Sequence, residues 1–325
     1  LREIGGMSRA ARLARRVNVG LVVLVVLYAA VVLRQPFYAE PASIMNFLRR
    51  AAPLAVLAAG QTFVLVGGGF DLSVGSLVTL TVIGASMLTG GDPAMTAPTV
   101  ALLYAMGLAV GLVNGLCVAL LRVPSIIATL GTLLSVNGVA MWWCGGSPRG
   151  YLPENFRAFG RFAFRHVPVV GLLPLSVLVL AAVAALCGWA LHATVFGRRL
   201  LAVGDNSRAA GLAGVPVAVT RMSAFVISSL SAVTAGILLG GFGGVSTDVG
   251  QGLELQAIAA CVIGGVRLLG GAGSVGGAIA GALSLFALFT LLNLLGLPQA
   301  LRETAQGLIL IAASASAALQ RWGDG

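Results

Sequence analysis

Long apolar stretches follow one another along almost the whole chain, separated by short breaks that carry glycine, proline or arginine. They cover 17–33, 51–70, 72–91, 93–121, 123–144, 167–191, 217–241, 255–266, 272–294 and 303–320. A helix crosses a bilayer with about 20 apolar residues. The pattern therefore predicts an all-α polytopic membrane protein of about ten transmembrane helices, some broken or short. The run 255–266 is too short for an ordinary span and reads as a half-helix. Residues 35–50 are expected to form a short external segment ending in an interfacial turn of helix.

Arginine placement sets the expected orientation. Arg9, Arg12, Arg15 and Arg16 precede the first run, so 1–16 is expected to be a basic cytoplasmic N-terminus before an uncleaved span. Ten spans return the C-terminus to the same side. Arg122, Arg198, Arg199, Arg208, Arg221, Arg267 and Arg321 then fall inside, and Arg34, Arg49, Arg50, Arg149, Arg157, Arg161, Arg165 and Arg302 outside. With the N-terminal cluster added, the bias favours this orientation. Residues 17–321 form one transmembrane domain, with an external loop at 145–166 and a long cytoplasmic loop at 193–216.

Composition narrows the function class. At 58% hydrophobic and 9% charged residues, the chain has too little charge to cover a soluble surface. All of its basic residues are arginines. Without lysine there is no Walker A phosphate loop and no Schiff-base chemistry. The net charge of +10 sits in short loops, a topology signal and not a nucleic-acid surface. Cys117, Cys144, Cys187 and Cys261 lack CxxC spacing, and His166 and His192 flank one span without clustered ligands. Neither a metal, a cofactor nor a catalytic residue is expected.

One carboxyl group stands out. Asp71 is the only charge between Arg50 and Asp92, in Gly67-Gly68-Gly69-Phe70-Asp71-Leu72-Ser73-Val74-Gly75-Ser76. Charge near bilayer depth is costly and retained for a reason, and broken backbone there must be enclosed by protein or line a wet cavity. Asp71 and Ser73 read either as solute-pathway groups or as the cap of the helix beginning at 72; a half-helix terminus serves both roles. Glu254, in Gly250-Gln251-Gly252-Leu253-Glu254, carries the same two readings. Gln61, Asn114, Asn137 and Asn293 interrupt other apolar runs and serve either a polyhydroxylated solute or interhelical hydrogen bonds. In the cytoplasmic loop, Asn206 or Ser207 is placed to cap a short helix through Leu212 that Gly214 and Pro216 end. The glycine-rich stretches 66–77 and 263–279 faintly repeat one another.

Four ordered blocks carry a resemblance over nearly the whole chain beyond residue 40. They are Gly69-Phe70-Asp71-Leu72-Ser73-Val74-Gly75-Ser76, Ile126-Ile127-Ala128-Thr129-Leu130-Gly131, the loop from Phe196-Gly197-Arg198-Arg199 through Gly204-Asp205-Asn206-Ser207-Arg208-Ala209-Ala210-Gly211 to Val215, and Gly252-Leu253-Glu254-Leu255-Gln256 onward. Together they resemble the ribose/xylose-type permeases of bacterial ABC importers, in a superfamily that also holds branched-chain amino-acid permeases. The resemblance implies a monosaccharide permease of the bacterial inner membrane working by alternating access. It implies a cytoplasmic ATPase with two nucleotide-binding domains, a periplasmic or extracellular sugar-binding protein, and a second permease chain in a homodimer or a pseudo-dimer of paralogues. It places an ATPase-coupling helix at 197–214, with Gly197, Arg198, Arg199, Asp205, Asn206, Arg208, Ala209, Ala210 and Gly214 as the residues concerned. Two positions depart from the family pattern: Arg267 in a normally neutral turn, and Asp205 where glycine is usual.

Two other classes stay open to the sequence. A stand-alone proton-coupled transporter would use Asp71 or Glu254 as proton carrier. An intramembrane protease would use Asp205, although the first glycine of its motif is absent. An ABC permease for another small polar solute is a variant of the first reading.

Overall fold

The computed structural model describes residues 19–147, 150–298 and six positions between 300 and 311. The segment 1–16, Arg149, Arg302, Arg321 and most of the run 303–320 lie outside the described residues.

The described chain is helical apart from one hairpin. Helix α1 (Val19–Arg34) leads through a 3-10 turn, Pro36–Ala39, into α2 (Pro41–Val66). A glycine-rich break separates α2 from α3 (Val74–Thr89), and α4 (Thr96–Ala119) and α5 (Ser125–Cys144) follow. Beyond a short amphipathic helix α6 (Glu154–Arg161), strands β1 (Ala163–Val167) and β2 (Gly171–Pro174) pair antiparallel, with Ala163 opposite Pro174. Helix α7 (Leu175–His192) precedes two connected helices, α8 (Val195–Asp205) and α9 (Ser207–Leu212). Three helices complete the fold: α10 (Val217–Gly243), α11 (Leu253–Ile263) and α12 (Val275–Leu294).

Among the described residues, α5, α7, α10, α12 and α4 with its preceding turn are long and apolar enough to cross a membrane. The polytopic expectation is met, and two segments depart from it in detail. The expected span 167–191 starts at Leu175, because 163–174 form the hairpin; Gly171 takes φ 67 at its turn and Pro174 flanks the helix start. The later part of the expected external segment, from Pro41, and most of the span 51–70 join into the single helix α2, which runs through Pro53 and ends at Val66. By contrast α11, at about 16 Å for its length, is the half-helix expected at 255–266.

Small residues set the packing. Helix α2 is buried all round from Ala51 to Val66, and α10 crosses it with Gly60 against Ser231. Gly107, Gly111 and Gly115 line one face of α4 and meet Val233, Val226 and Met222 of α10. Close approach of this kind drives helix association in membranes, where apolar surface alone has no advantage over lipid. A Cβ at position 111 would lie 2.8 Å from the Val226 Cα, which is backbone and cannot yield. Gly111→Val should therefore destabilise the α4–α10 contact by roughly 1–3 kcal/mol, read as a lower melting temperature in detergent.

Candidate functional site

The break between α2 and α3 is where the two apolar runs lose helical geometry. Gly68 takes φ 79, and α3 begins only at Val74. Asp71 is fully buried in this break. Its Oδ1 accepts the Ser73 N–H at 3.0 Å and the Ser73 hydroxyl at 2.6 Å, and its Oδ2 accepts the Ser228 hydroxyl from α10 at 2.8 Å. Ser73 Oγ in turn accepts from Asn114 Nδ2 of α4 at 2.9 Å, and Asn114 Oδ1 accepts from Thr132 of α5 at 2.6 Å. The break is pinned to α5 twice more, by Phe70 N–H donating to Ser125 Oγ at 3.0 Å and Thr129 Oγ1 donating to Phe70 O at 3.3 Å. One carboxyl group thus ties the break to three helices. Asp71, Ser73, Asn114, Thr132 and Ser228 are each hydrogen-bonded in this network, the condition under which a buried polar network is stable.

A cavity lies on each side of this knot. One, of about 540 Å³, is lined by Gly67–Gly69, Arg122, Ser125, Arg221 and Phe225. The other, of about 400 Å³, is lined by Gly75, Ser76, Thr79, Asn137, Asp248, Gln251 and Glu254. Along α5, Ser125 belongs to the first and Asn137 to the second, with Thr129 and Thr132 between them. Asp71, Ser73 and Asn114 line neither; all three are buried, and along the chain Asp71 and Ser73 fall between Gly67–Gly69 of the first lining and Gly75 and Ser76 of the second. The second cavity is rich in hydroxyl, amide and carboxyl groups, the chemistry that recognises a polyhydroxylated solute.

The expected site residues thus separate by location. Asn137 and Glu254 share the second cavity, and Asp71, Ser73 and Asn114 the knot. Gln61 is fully buried in α2, and neither amide atom has a hydrogen-bond partner. Asn293 lies apart, in a third cavity beside α1. Ser228 and Thr132 were not visible as site residues, because hydroxyls in apolar helices commonly bond their own backbone. Gln251 is the central residue of the Gly250-Gln251-Gly252 motif, and Asp248 stands two positions before Gly250.

The loop 193–216 packs against the end of α2 and the glycines that follow it. Thr194 caps α8 by accepting from Gly197 N–H at 3.2 Å, and Asn206 caps α9 by accepting from Arg208 and Ala209 N–H at 3.1 and 2.9 Å. Gly214 follows with φ 80. Gly204 sits against the Val66 carbonyl, and Gly271 N–H donates to that same carbonyl at 2.9 Å. The two glycine-rich breaks, 67–73 and 264–274, therefore meet at the end of α8. Gly197 and Ala210 are buried, while Arg198, Arg199, Asp205, Asn206, Arg208, Ala209 and Gly214 are exposed. Arg267 is exposed in the turn of the second break, so both departures from the family pattern lie on this side of the molecule.

Comparison with known proteins decides the family. A family model described as "Branched-chain amino acid transport system / permease component" matches residues 43–314. The chain belongs to this permease family. Among its relatives, an "Autoinducer 2 import system permease protein LsrC" from Klebsiella pneumoniae is 40% identical over 289 residues, covering 89% of this chain and 82% of the relative. A protein of the same description from Enterobacter sp. (strain 638) is 36% identical, with 89% and 82% covered. One from Escherichia coli (strain K12 / DH10B) is also 36% identical, with 80% and 74% covered. No solved structure matches the chain. The chain is thus a membrane permease subunit of an ATP-driven importer and not an enzyme. Hydrolysis belongs to a separate ATPase, and a solute-binding protein completes the system.

Proposed function

We propose that this permease passes a small polyhydroxylated solute, a monosaccharide or the autoinducer 2 of its relatives' names, from the Glu254 cavity to the Arg122 cavity by alternating access. The observation that carries this is the pair of cavities whose linings flank one hydrogen-bonded knot along the chain, and we take that knot as the wall between them. Asn137, Gln251 and Glu254 receive solute hydroxyls, and Asp71, Ser73, Asn114 and Ser228 form the gate. The ATPase docks on α8 and α9, and motion there reaches the gate through the Gly204–Val66 contact. A second permease chain, expected as an identical copy, faces this one across the exposed sides of α4 and α5. A proton-carrier role for Asp71 is disfavoured, because the carboxyl borders neither cavity and already receives three donors.

The test is uptake of labelled autoinducer 2 and of labelled ribose into vesicles holding the permease, its ATPase and its binding protein. ATP-dependent accumulation of at least one is expected. Glu254→Gln should keep the fold and slow that uptake several-fold, since one charge-assisted hydrogen bond contributes about 1.5–3 kcal/mol. Accumulation without ATP that collapses with the proton gradient would overturn the proposal.

A further inference from the structure

The third cavity, of about 480 Å³, has no part in the pathway. It lies at the end of the molecule away from α8 and α9, enclosed by the 3-10 turn after α1, the first turns of α2 and the last turns of α12. Among the described residues its lining includes Arg49, Arg50, Ser43, Asn46, Thr290 and Asn293 and no carboxylate. Ser43 is only 5% exposed, and its hydroxyl has no hydrogen-bond partner. The Arg49 Nε is likewise buried without a partner. Both guanidinium groups lie over one ring, that of Phe242, at 5.4 and 5.7 Å. A third, that of Arg161, donates to the Phe242 carbonyl at 3.5 Å. Like charges gathered this closely repel unless an anion joins them, and a buried donor without an acceptor is costly. Beneath the polar rim the floor is aromatic, with Phe47 and Phe286 edge to face at 5.3 Å.

We propose that this cavity binds a phosphate-bearing anion, with Arg49 and Arg50 as the charge partners and Ser43, Asn46 and Asn293 completing the donors. Guanidinium forks match phosphate oxygens two at a time, and Ser43 supplies a donor at the buried end. Either a phospholipid headgroup or a free phosphate presents that chemistry. The surroundings fit a headgroup: α1 packs chiefly against α12, and Val25, Val26 and Leu33 on its outer side are 61%, 62% and 84% exposed. That apolar face leads up to the cavity and offers a track for an acyl chain. The anion neutralises the arginine cluster and staples α1 to α2 and α12.

The test is native mass spectrometry of the full chain, titrated in detergent with phosphatidylglycerol or with phosphatidylcholine. A phosphatidylglycerol adduct is expected at lower lipid concentration than the phosphatidylcholine one. Arg49→Gln with Arg50→Gln should weaken it about tenfold or more, as loss of charge-assisted hydrogen bonds predicts, and Ser43→Ala should weaken it less. Displacement of the lipid by inorganic phosphate would make the free anion a ligand of the same site. Arginine-dependent binding without such displacement would assign the site to the headgroup. Should the double arginine variant fail to insert, Thr290→Val with Asn293→Leu at the cavity rim repeats the comparison. Equal binding of both lipids, or phosphatidylglycerol binding unchanged in a folded variant, would overturn the proposal.

Discussion

Asp71→Ala is expected to destabilise the bundle and abolish ATP-dependent uptake, whereas Asp71→Asn is expected to fold and to leak. The physical difference lies in what each side chain leaves behind. Alanine removes the acceptor for the Ser73 N–H, a buried backbone donor with no rotational freedom to find another. That orphaned group alone costs roughly 1–3 kcal/mol. The hydroxyls of Ser73 and Ser228 lose their acceptor as well and must turn elsewhere. Asparagine keeps one carbonyl oxygen for Ser73 and turns an amide toward Ser228, so the knot survives without its charge. Neutral hydrogen bonds are roughly half as strong as charge-assisted ones. A loss of about 1–2 kcal/mol changes a population ratio 5–30-fold. If the knot is the wall between the two cavities, that loss favours the open wall, and ATP-independent equilibration of solute across the vesicle should rise several-fold. Ser228→Ala separates this from a purely local cap, because it leaves the Asp71–Ser73 turn intact and cuts only the tie to α10. It should leak in the same direction, less strongly. A tight, wild-type Ser228→Ala protein would reduce Asp71 to a cap, and wild-type transport by Asp71→Ala would remove the gate altogether.

The break around Asp71 was legible because three glycines and a lone charge within an apolar run conflict with a continuous span. Its partners were not. Ser228 lies 157 positions away, and nothing local to it distinguishes a hydroxyl that bonds its own helix from one that reaches across. The same limit explains Asn293, which looked like a pathway amide by its apolar setting but lies beside the peripheral α1. Gln61 carried the expectation that a buried amide finds a partner, and its amide has none. Arg49 and Arg50 end the expected external segment, and the apolar run begins directly after them. The arginines instead stack on Phe242, and helix α2 continues through Pro53. The second half of the hairpin, 167–174, hid in an apolar stretch whose prolines and Gly171 were the sign against a span. Local rules served best where the signal itself is local: the half-helix α11 followed from its length, and the Asn206 cap from the residue type preceding a short helix.

That cap carries the second large effect. Asn206→Pro combined with Ala210→Pro should reduce ATP-dependent uptake to background while leaving the permease inserted in the membrane. Asn206 has φ −151, which proline cannot adopt, and its N–H donates to Ala202 at 3.0 Å, a bond proline removes. Proline at 210 removes the bond from Ala210 N–H to the Asn206 carbonyl at 2.9 Å, in a helix of six residues. A proline inside a helix costs about 3 kcal/mol, and so short a helix has too few bonds of its own to absorb that cost. Helix α9 should melt, while most of the loop stays exposed and the transmembrane packing is untouched. Asn206→Ala is the graded control, losing only the cap, at about 1 kcal/mol. Its uptake should fall between the two. A binding assay for the purified ATPase places the defect: loss of docking together with uptake assigns α9 to the ATPase contact. Retained docking with lost uptake would instead assign α9 to transmission, along the path from Gly204 through Val66 to the Asp71 break. Full uptake by the double-proline protein would sink the coupling role of the loop, and with it the route by which ATP is held to move the gate.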